Sequence, residues 1–227
     1  SDNPLKPVLR INTIILNDSN AWCCNHIWLH KQPLFLWQIA VCLKLFGVSE
    51  FVVRIPSIIM GSLMILVICR ITFIITKNYT MALMSAFLIC ISKYMLMQIA
   101  GVFGMDHNDV AFSFYVLLSL WCFIEYINSS SSKLIYLIGL TSGLAILNKW
   151  LPGLFVYLCW GIFILLDIKN VNRKDIYNFI TSIVICIIVF LPWQFYIFCK
   201  FPSQALYEYN YNTRHIFEVI EGHSGSM

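Results

Sequence analysis

Long apolar runs dominate this sequence and decide which folds it can adopt. Charged residues make up only 11% of its 227 positions, against about 25% in soluble domains. A soluble fold would therefore lack the polar side chains needed to cover its surface. The runs are continuous rather than alternating, which argues against a transmembrane β-barrel. The sequence predicts an all-α fold, a polytopic transmembrane helical bundle.

Six candidate membrane spans follow one another along the chain. The fourth and fifth are shorter than the about 20 residues that a span needs. They are separated by "NKWLP", where Pro152 suits the first turn of a helix, so the two predict a tight helical hairpin. The six runs lie at about 54–76, 79–98, 108–126, 134–148, 151–167 and 178–198.

The spans divide the chain into three regions: a first extracytoplasmic loop at 1–50, a transmembrane core at 51–198, and the start of a later extracytoplasmic loop at 199–227. Inside the first region, the apolar run 33–47 is too short to span and is broken by Lys44. It predicts a helix that lies in the membrane interface. The chain begins at Ser1 without a signal-peptide pattern and ends in a polar stretch, so we expect a fragment of a longer protein.

Basic residues assign a side of the membrane to each end of the spans. The loop 168–177 holds three of them, and the positive-inside rule makes that loop cytoplasmic. Counting spans from this loop places Arg70, Lys77 and Lys133 on the same side. The other ionisable residues of interest share the opposite, extracytoplasmic face; they are Asp2, Lys31, Arg54, Asp106, His107, Asp109, Lys149, Arg214 and His223.

The third span begins with an unusually polar stretch, "DHND" at 106–109. A structural explanation is helix capping, because Asp and Asn are favoured at a helix N-terminus. One capping residue is enough, however, and further ionisable groups at membrane depth cost free energy and usually mark function. Asp106 and Asp109 are therefore candidates for a functional role as well as for capping.

Lys31 and Lys149 are candidate anion-binding residues on the same face. Contact with lipid headgroups is the structural explanation for Lys31, and snorkelling is the one for Lys149. Two lysines with two or three carboxylates also suit a reaction in which lysines neutralise a phosphate leaving group and a carboxylate takes a proton. A metal site using His107, His215 and His223 is the weaker alternative, since no spacing matches a known metal motif.

Three motifs occur in an order that is known from one family. "HKQPLFLWQIAVCLKLFGVSEFVVRIPSIIMGSLMILV" is similar to the pattern K-P-P-L-x-x-W…F-K-L-F-G-x-S-E-F-x-x-R-L-P-S, "GLTSGLAILNKWLPGLFVY" to G-L-A-x-L-T-K-G, and "NTRHIFEVIEGHSG" to R…E-G-H-x-G. The chain thereby resembles, over about residues 2–225, the GT-C glycosyltransferases. The similar branch is the bacterial one that is like the dolichyl-phosphate-mannose-protein mannosyltransferases and includes aminoarabinose transferases.

The resemblance implies an inverting transfer of a sugar from a polyprenyl-phosphate-linked donor to a lipid, glycan or protein acceptor. It implies an enzyme of the bacterial inner (plasma) membrane whose active face is extracytoplasmic. No cofactor or metal is expected for transfer, and no nucleic acid partner. The implied sites are Lys31 and Lys149 for the donor phosphate, Asp2 as the first carboxylate, Asp109 or Asp106 as the second (an ungapped match favours Asp109), and Arg54, His107, Arg214 and His223 as substrate-loop candidates.

Two other functions remain open at this point. A transporter or flippase could bind a lipid-linked substrate without chemistry, although its ionisable groups would be expected near the bilayer midplane. A structural membrane subunit would not need this set of lysines and carboxylates. The sugar and the acceptor are not readable from the residues, so modification of lipid A and protein glycosylation both stay open.

Overall fold

The computed structural model describes residues 5, 27, 29–102, 107–129, 131–166 and 172–217, with only the backbone described at 107, 211–212 and 214–217. These residues are helical and include no β-strand, which confirms the all-α prediction. The helices are α1 (Pro33–Phe46), α2 (Glu50–Thr76), α3 (Tyr79–Cys90), α4 (Lys93–Ala100), α5 (His107–Ser129), α6 (Ser132–Lys149), a 3₁₀ turn (Leu151–Leu154), α7 (Phe155–Leu166), α8 (Arg173–Lys200) and α9 (Pro202–Phe217).

Three of the described helices are long and apolar enough to cross a membrane by themselves: Glu50–Thr76, Asn108–Ser129 and Arg173–Lys200. The consecutive helices α3 and α4 make a fourth span if they are counted together. Pro33–Phe46 and Leu151–Leu166 are apolar but shorter. The structure thus supports a membrane protein with three or four spanning helices, while the count of six and the interfacial position of α1 stay predictions.

The predicted second span is bent rather than straight. α3 ends at Cys90 and α4 begins at Lys93, with a bend of 50° between them. Ser92 has an extended backbone at this point, and its hydroxyl accepts a hydrogen bond from the N–H of Met95 at 3.5 Å. A serine can satisfy a free backbone N–H at a helix start, so a new helix starts within an otherwise apolar run.

By its internal contacts the chain divides into two compact units, one of residues 1–31 and 192–227 and the other of residues 32–191. The second unit contains α1 to α7 and the first part of α8. Two apolar clusters form its core, and α5 contributes to both. One contains Phe35, Met60, Met64, Val110, Ala111 and Phe114; the other contains Cys122, Phe123, Ile138, Ile146, Val156, Tyr157, Trp160 and Cys186.

Close packing of α6 against α8 holds the helix that ends in Lys149. A Cβ atom added at Gly139 would lie 2.5 Å from the backbone oxygen of Ser182, and one added at Gly143 would lie 2.6 Å from Cβ of Val189. Only glycine allows two helix backbones to approach so closely, as in other membrane helix pairs. The spacing of four residues places both glycines on one face of α6.

A buried set of hydrogen bonds reinforces this packing. Ser142 donates to the backbone oxygen of Gly153 at 2.7 Å, and Tyr157 donates to that of Ser182 at 2.8 Å. Both hydroxyls are on buried residues. They tie α6, the 3₁₀ turn, α7 and α8 together where water cannot compete, so the hairpin after Lys149 has a defined position.

Candidate active site

An ion pair joins the start of α5 to the end of α6. The ammonium of Lys149 lies 2.6 Å from Oδ1 of Asp109, and the two side chains are 51% and 31% exposed. A pair this accessible contributes only about 0–1 kcal/mol to stability. Both charged groups are therefore accessible to a ligand. A charged group of the ligand could replace either residue as ion-pair partner at a small cost in free energy.

A second contact one residue earlier in each helix sets the register of this pair. Asn108 donates from Nδ2 to the backbone oxygen of Asn148 at 3.0 Å, and both asparagines are buried. The side chain of Asn148 donates to the backbone oxygen of Leu144 at 2.8 Å. With Val110 and Ala111 fully buried directly after Asp109, the backbone on both sides of the ion pair is held in place.

Asn148 also leaves a buried acceptor beside Lys149. Its Oδ1 accepts no hydrogen bond from the described residues, although Asn148 is only 1% exposed. Such a group costs about 1–3 kcal/mol when nothing donates to it. A donor from water or from a ligand would remove that cost.

The chain turns sharply directly after Lys149. Trp150 has φ 61° and ψ −149°, a combination that side-chain-bearing residues rarely adopt. Its N–H donates to the backbone oxygen of Ile146, and its own oxygen accepts from Gly153. The turn ends α6 at Lys149 and starts the 3₁₀ turn, at the break for which the "NKWLP" stretch was the signal.

An apolar groove of about 460 Å³ lies between α5 and the segment that follows Lys149. Phe112 lines it one turn beyond Asp109, and Leu151 lines it two residues after Lys149. Residues close in sequence to both members of the ion pair therefore line the groove, and its lining is apolar. Its full lining is Phe112, Val116, Leu151, Pro152, Leu154, Phe155 and Leu158.

Arg54 and Lys31 are the two other predicted cations with described side chains. Arg54 lies on the first turns of α2, with Nη2 4.0 Å from Oε2 of Glu50, whose side chain is 92% exposed. Lys31 is partly buried and directly precedes the N-cap of α1, Gln32. Lys31 belongs to the smaller compact unit and Asp109 to the larger one.

Several predicted site residues lie outside the described side chains. Asp2, Asp106 and His223 are outside the described residues, and His107 and Arg214 have only their backbone described, in α5 and α9. The choice between Asp106 and Asp109 therefore stays a prediction. In the described part of the chain, no three His, Cys, Asp or Glu side chains come together in a way that could hold a metal ion.

Two further contacts were not foreseen from the sequence. His30, next to Lys31, has Nδ1 3.4 Å from Oε2 of Glu208, a carboxylate whose side chain is only 8% exposed. The other is the Asn108–Asn148 contact. The sequence contains a signal for both contacts. A polar residue within a tyrosine-rich helix or at the end of an apolar span costs free energy unless it has a polar partner.

The chain matches a known family over most of its length. Residues 30–196 match the family model described as dolichyl-phosphate-mannose-protein mannosyltransferase, which is most of the chain. The chain belongs to this family, a member of the GT-C superfamily. The matched stretch of the family model includes Lys31, Arg54, Asp109 and Lys149.

A relative in Aquifex aeolicus (strain VF5), an uncharacterized protein, is 29% identical over 131 residues. The alignment covers 56% of this chain and 25% of the relative, so the chain spans about a quarter of the length of the curated relative it matches. No solved structure matches the chain.

Proposed function

We propose that this chain carries the donor-phosphate site of an integral membrane glycosyltransferase. The enzyme moves a sugar from a polyprenyl-phosphate-linked donor to a lipid, glycan or protein acceptor. The observation that carries the proposal is the accessible Lys149–Asp109 pair, with an apolar groove lined by residues close to both in sequence. A cation and a carboxylate beside an apolar surface suit a ligand that joins a phosphate to a long hydrocarbon chain.

The reaction requires charge to move onto the phosphate. The bond between the anomeric carbon and the phosphate oxygen breaks, and the phosphate keeps the electron pair. The acceptor oxygen forms the new bond from the opposite face, which inverts the anomeric centre, and its proton passes to a carboxylate. Lys149 stabilises the developing phosphate charge, and Asp109 orients or deprotonates the acceptor. The resemblance to the family implies the same two roles for Lys31 and Asp2, respectively.

The accessible ion pair suits this sequence of events. In the structure, Lys149 lies against Asp109. A donor phosphate offers Lys149 a second anionic partner. Breaking the accessible pair with Asp109 costs little free energy. The carboxylate of Asp109 is then released to receive the acceptor proton. The same site thus binds the leaving group and prepares the base.

The proposal places the enzyme in the bacterial inner membrane with its active face extracytoplasmic. The family's own description names dolichyl-phosphate mannose as donor and protein as acceptor. For this chain the sugar is a matter for experiment, with mannose, aminoarabinose and galactosamine as the first donors to test. We expect transfer to need no divalent metal, which transfer in the presence of EDTA would test.

The direct test replaces Asp109 with Asn and Lys149 with Gln in the full-length protein, separately. We expect each variant to lose about 100-fold or more in transfer of radiolabelled sugar from polyprenyl phosphate, the usual effect of removing one group that stabilises transition-state charge. Lys31→Ala should behave in the same way. Lys93→Gln is the matched control, since Lys93 is an exposed cation outside the site, and it should retain transfer.

Retained transfer in both Asp109→Asn and Lys149→Gln would contradict the proposal. Movement of the lipid-linked sugar across vesicles without any glycosylated product would instead identify a flippase. The assay must therefore measure the product and the transbilayer movement in the same preparation.

A further inference from the structure

A second polar cluster lies along the contact between α2 and α5, at the end of α2 opposite to Arg54. Two side-chain contacts bridge the helices there. Arg70 donates from Nε to Oε1 of Glu125 at 2.7 Å. Lys77, which directly follows the last residue of α2, donates to Oδ1 of Asn128 at 3.2 Å. We call these four residues the Arg70 cluster. Nothing in the proposed transfer reaction uses them.

The position of the cluster along α2 corresponds to a membrane boundary. At 1.5 Å per residue, Arg70 lies about 24 Å along the helix from Arg54, and Lys77 lies about 35 Å from it. The hydrocarbon core is about 30 Å thick. If Arg54 marks one boundary, Lys77 lies at the level of the opposite headgroups, and Arg70, about one helical turn short of that boundary, can reach them with its long side chain. With the predicted orientation, these are the headgroups of the cytoplasmic leaflet.

The cluster carries an excess of positive charge. Two cations, Arg70 and Lys77, face one carboxylate, Glu125, which is 15% exposed and also accepts from Nε1 of Trp121 at 3.3 Å. The partner of Lys77 is an uncharged amide. Arg70 is 48% exposed and uses Nε for Glu125, while its two terminal nitrogens make no hydrogen bond to a described residue. A guanidinium in this state can still bind a phosphate with two parallel hydrogen bonds.

An apolar groove leads to the cluster from the membrane interior. It has a volume of about 350 Å³ and lies between α2 and α5. Arg70 and Trp121 line its polar end, and aliphatic and aromatic side chains line the rest. Its full lining is Leu63, Leu66, Val67, Arg70, Phe114, Leu118 and Trp121.

We propose that the Arg70 cluster and this groove bind an anionic phospholipid of the surrounding leaflet. One acyl chain lies in the groove, and the phosphate lies at Arg70 and Lys77. Basic pockets between membrane helices recognise anionic headgroups in this way. Charge complementarity excludes a zwitterionic lipid as the preferred occupant, because the net positive charge would face a headgroup without net charge. The site is separate from Asp109 and Lys149, so it does not depend on the transfer reaction.

The test measures quenching of Trp121 by brominated lipids. The purified full chain in neutral detergent is titrated with phosphatidylglycerol or with phosphatidylcholine, both brominated on the acyl chains. The chain has seven tryptophans, so the signal of Trp121 is the difference between the wild type and Trp121→Phe. We expect the mole fraction of lipid that quenches half of this signal to be at least about fivefold lower for phosphatidylglycerol than for phosphatidylcholine. This is the effect expected from one basic residue near an anionic headgroup.

Two variants each remove one cation of the cluster without leaving a buried charge unpaired. Lys77→Gln should reduce the preference for phosphatidylglycerol about fivefold. The double variant R70Q/E125Q leaves the net charge of the cluster unchanged but removes the guanidinium that would bind the phosphate, so it should reduce the preference as well. Lys133→Gln removes an exposed cation that is predicted for the same face but does not line the groove, and it should leave the preference unchanged.

Three results would overturn the proposal. The first is equal quenching of Trp121 by both lipids in the wild type. The second is an unchanged preference in both Lys77→Gln and R70Q/E125Q. The third is an equal loss in Lys133→Gln, which would assign the preference to the overall surface charge. None of these readouts depends on whether the protein transfers a sugar.

Discussion

Trp150 shows how a single residue's backbone can position a functional side chain. It follows Lys149 directly, and its φ of 61° with ψ −149° belongs to a region that costs about 1–3 kcal/mol for a residue with a side chain. Such strain persists only where the surroundings hold it, here the hydrogen bonds to Ile146 and from Gly153. The similar motif of the family has glycine after its lysine, the residue that suits this conformation.

The backbone strain at Trp150 predicts that glycine is more stable than alanine at this position, the reverse of the usual order in a helix. Trp150→Gly should be more stable than Trp150→Ala by about 1 kcal/mol, because both lose the indole but only glycine relieves the strain. At Tyr136, an exposed residue inside α6, the order should be reversed, since glycine in a helix is less stable than alanine by about 0.5–1 kcal/mol. Thermal unfolding midpoints of the four variants in detergent measure both differences. Alanine above glycine at both positions would refute the strain.

The two residues of the ion pair illustrate what residue-level pattern can and cannot predict. Asp109 and Lys149 could be assigned to one membrane face from the span count alone, and the structure places them in contact. The contact itself depends on the register between α5 and α6, which apolar pattern does not determine because both helices are apolar around much of their surface. The Asn108–Asn148 hydrogen bond fixes that register. The sequence around either asparagine does not identify the other as its partner.

At the scale of the helix, α6 is the element on which the site depends most. It ends at Lys149, and its glycines allow α8 to approach its backbone. Any outward movement of α6 would separate Lys149 from Asp109. The close contact between α6 and α8 therefore helps to position Lys149, although no side chain at that contact binds a ligand.

Two glycine-to-alanine variants separate this packing from ordinary helix propensity. Gly139→Ala should destabilise the protein by about 1–3 kcal/mol, since the new methyl meets the Ser182 backbone oxygen and Ile185. Gly161→Ala, in α7, meets nothing within 4 Å and should stabilise it by about 0.4–1 kcal/mol. Unfolding in a denaturing detergent series would compare them. Equal stability of the two variants would show that the α6–α8 approach is not tight in solution.

The apolar pattern predicts some helix boundaries but not others. α2 and α5 could be predicted to within a few residues from continuous apolar runs, and the turn at Pro152 from its position in the chain. The break between α3 and α4 could not, because Ser92 and Lys93 are two polar residues within a mostly apolar run and hydropathy averages over them. The effect of Ser92 is local and stereochemical, a capping hydrogen bond rather than a change in hydrophobicity.

At the scale of the whole molecule, the orientation in the membrane connects both proposed sites. The donor site and the Arg70 cluster lie at opposite ends of α5, near Asp109 and Glu125. If the basic loop 168–177 is cytoplasmic, Asp109 and Lys149 face the outside and the Arg70 cluster faces the inner leaflet. The orientation is thus a single prediction on which the assignment of both leaflets depends.

Cysteine labelling of intact cells tests that orientation directly. Single cysteines are introduced at Val48, which is 92% exposed between α1 and α2, and at Asn172, exposed at the start of α8, in a background with the native cysteines replaced by serine. A membrane-impermeant maleimide should label position 48, and also position 107, in intact cells, but position 172 only after permeabilisation. The cysteine-free background should stay unlabelled in both conditions. Labelling of position 172 alone in intact cells would reverse the topology and move the Lys149–Asp109 site to the cytoplasmic face, where an extracytoplasmic transferase could not use it.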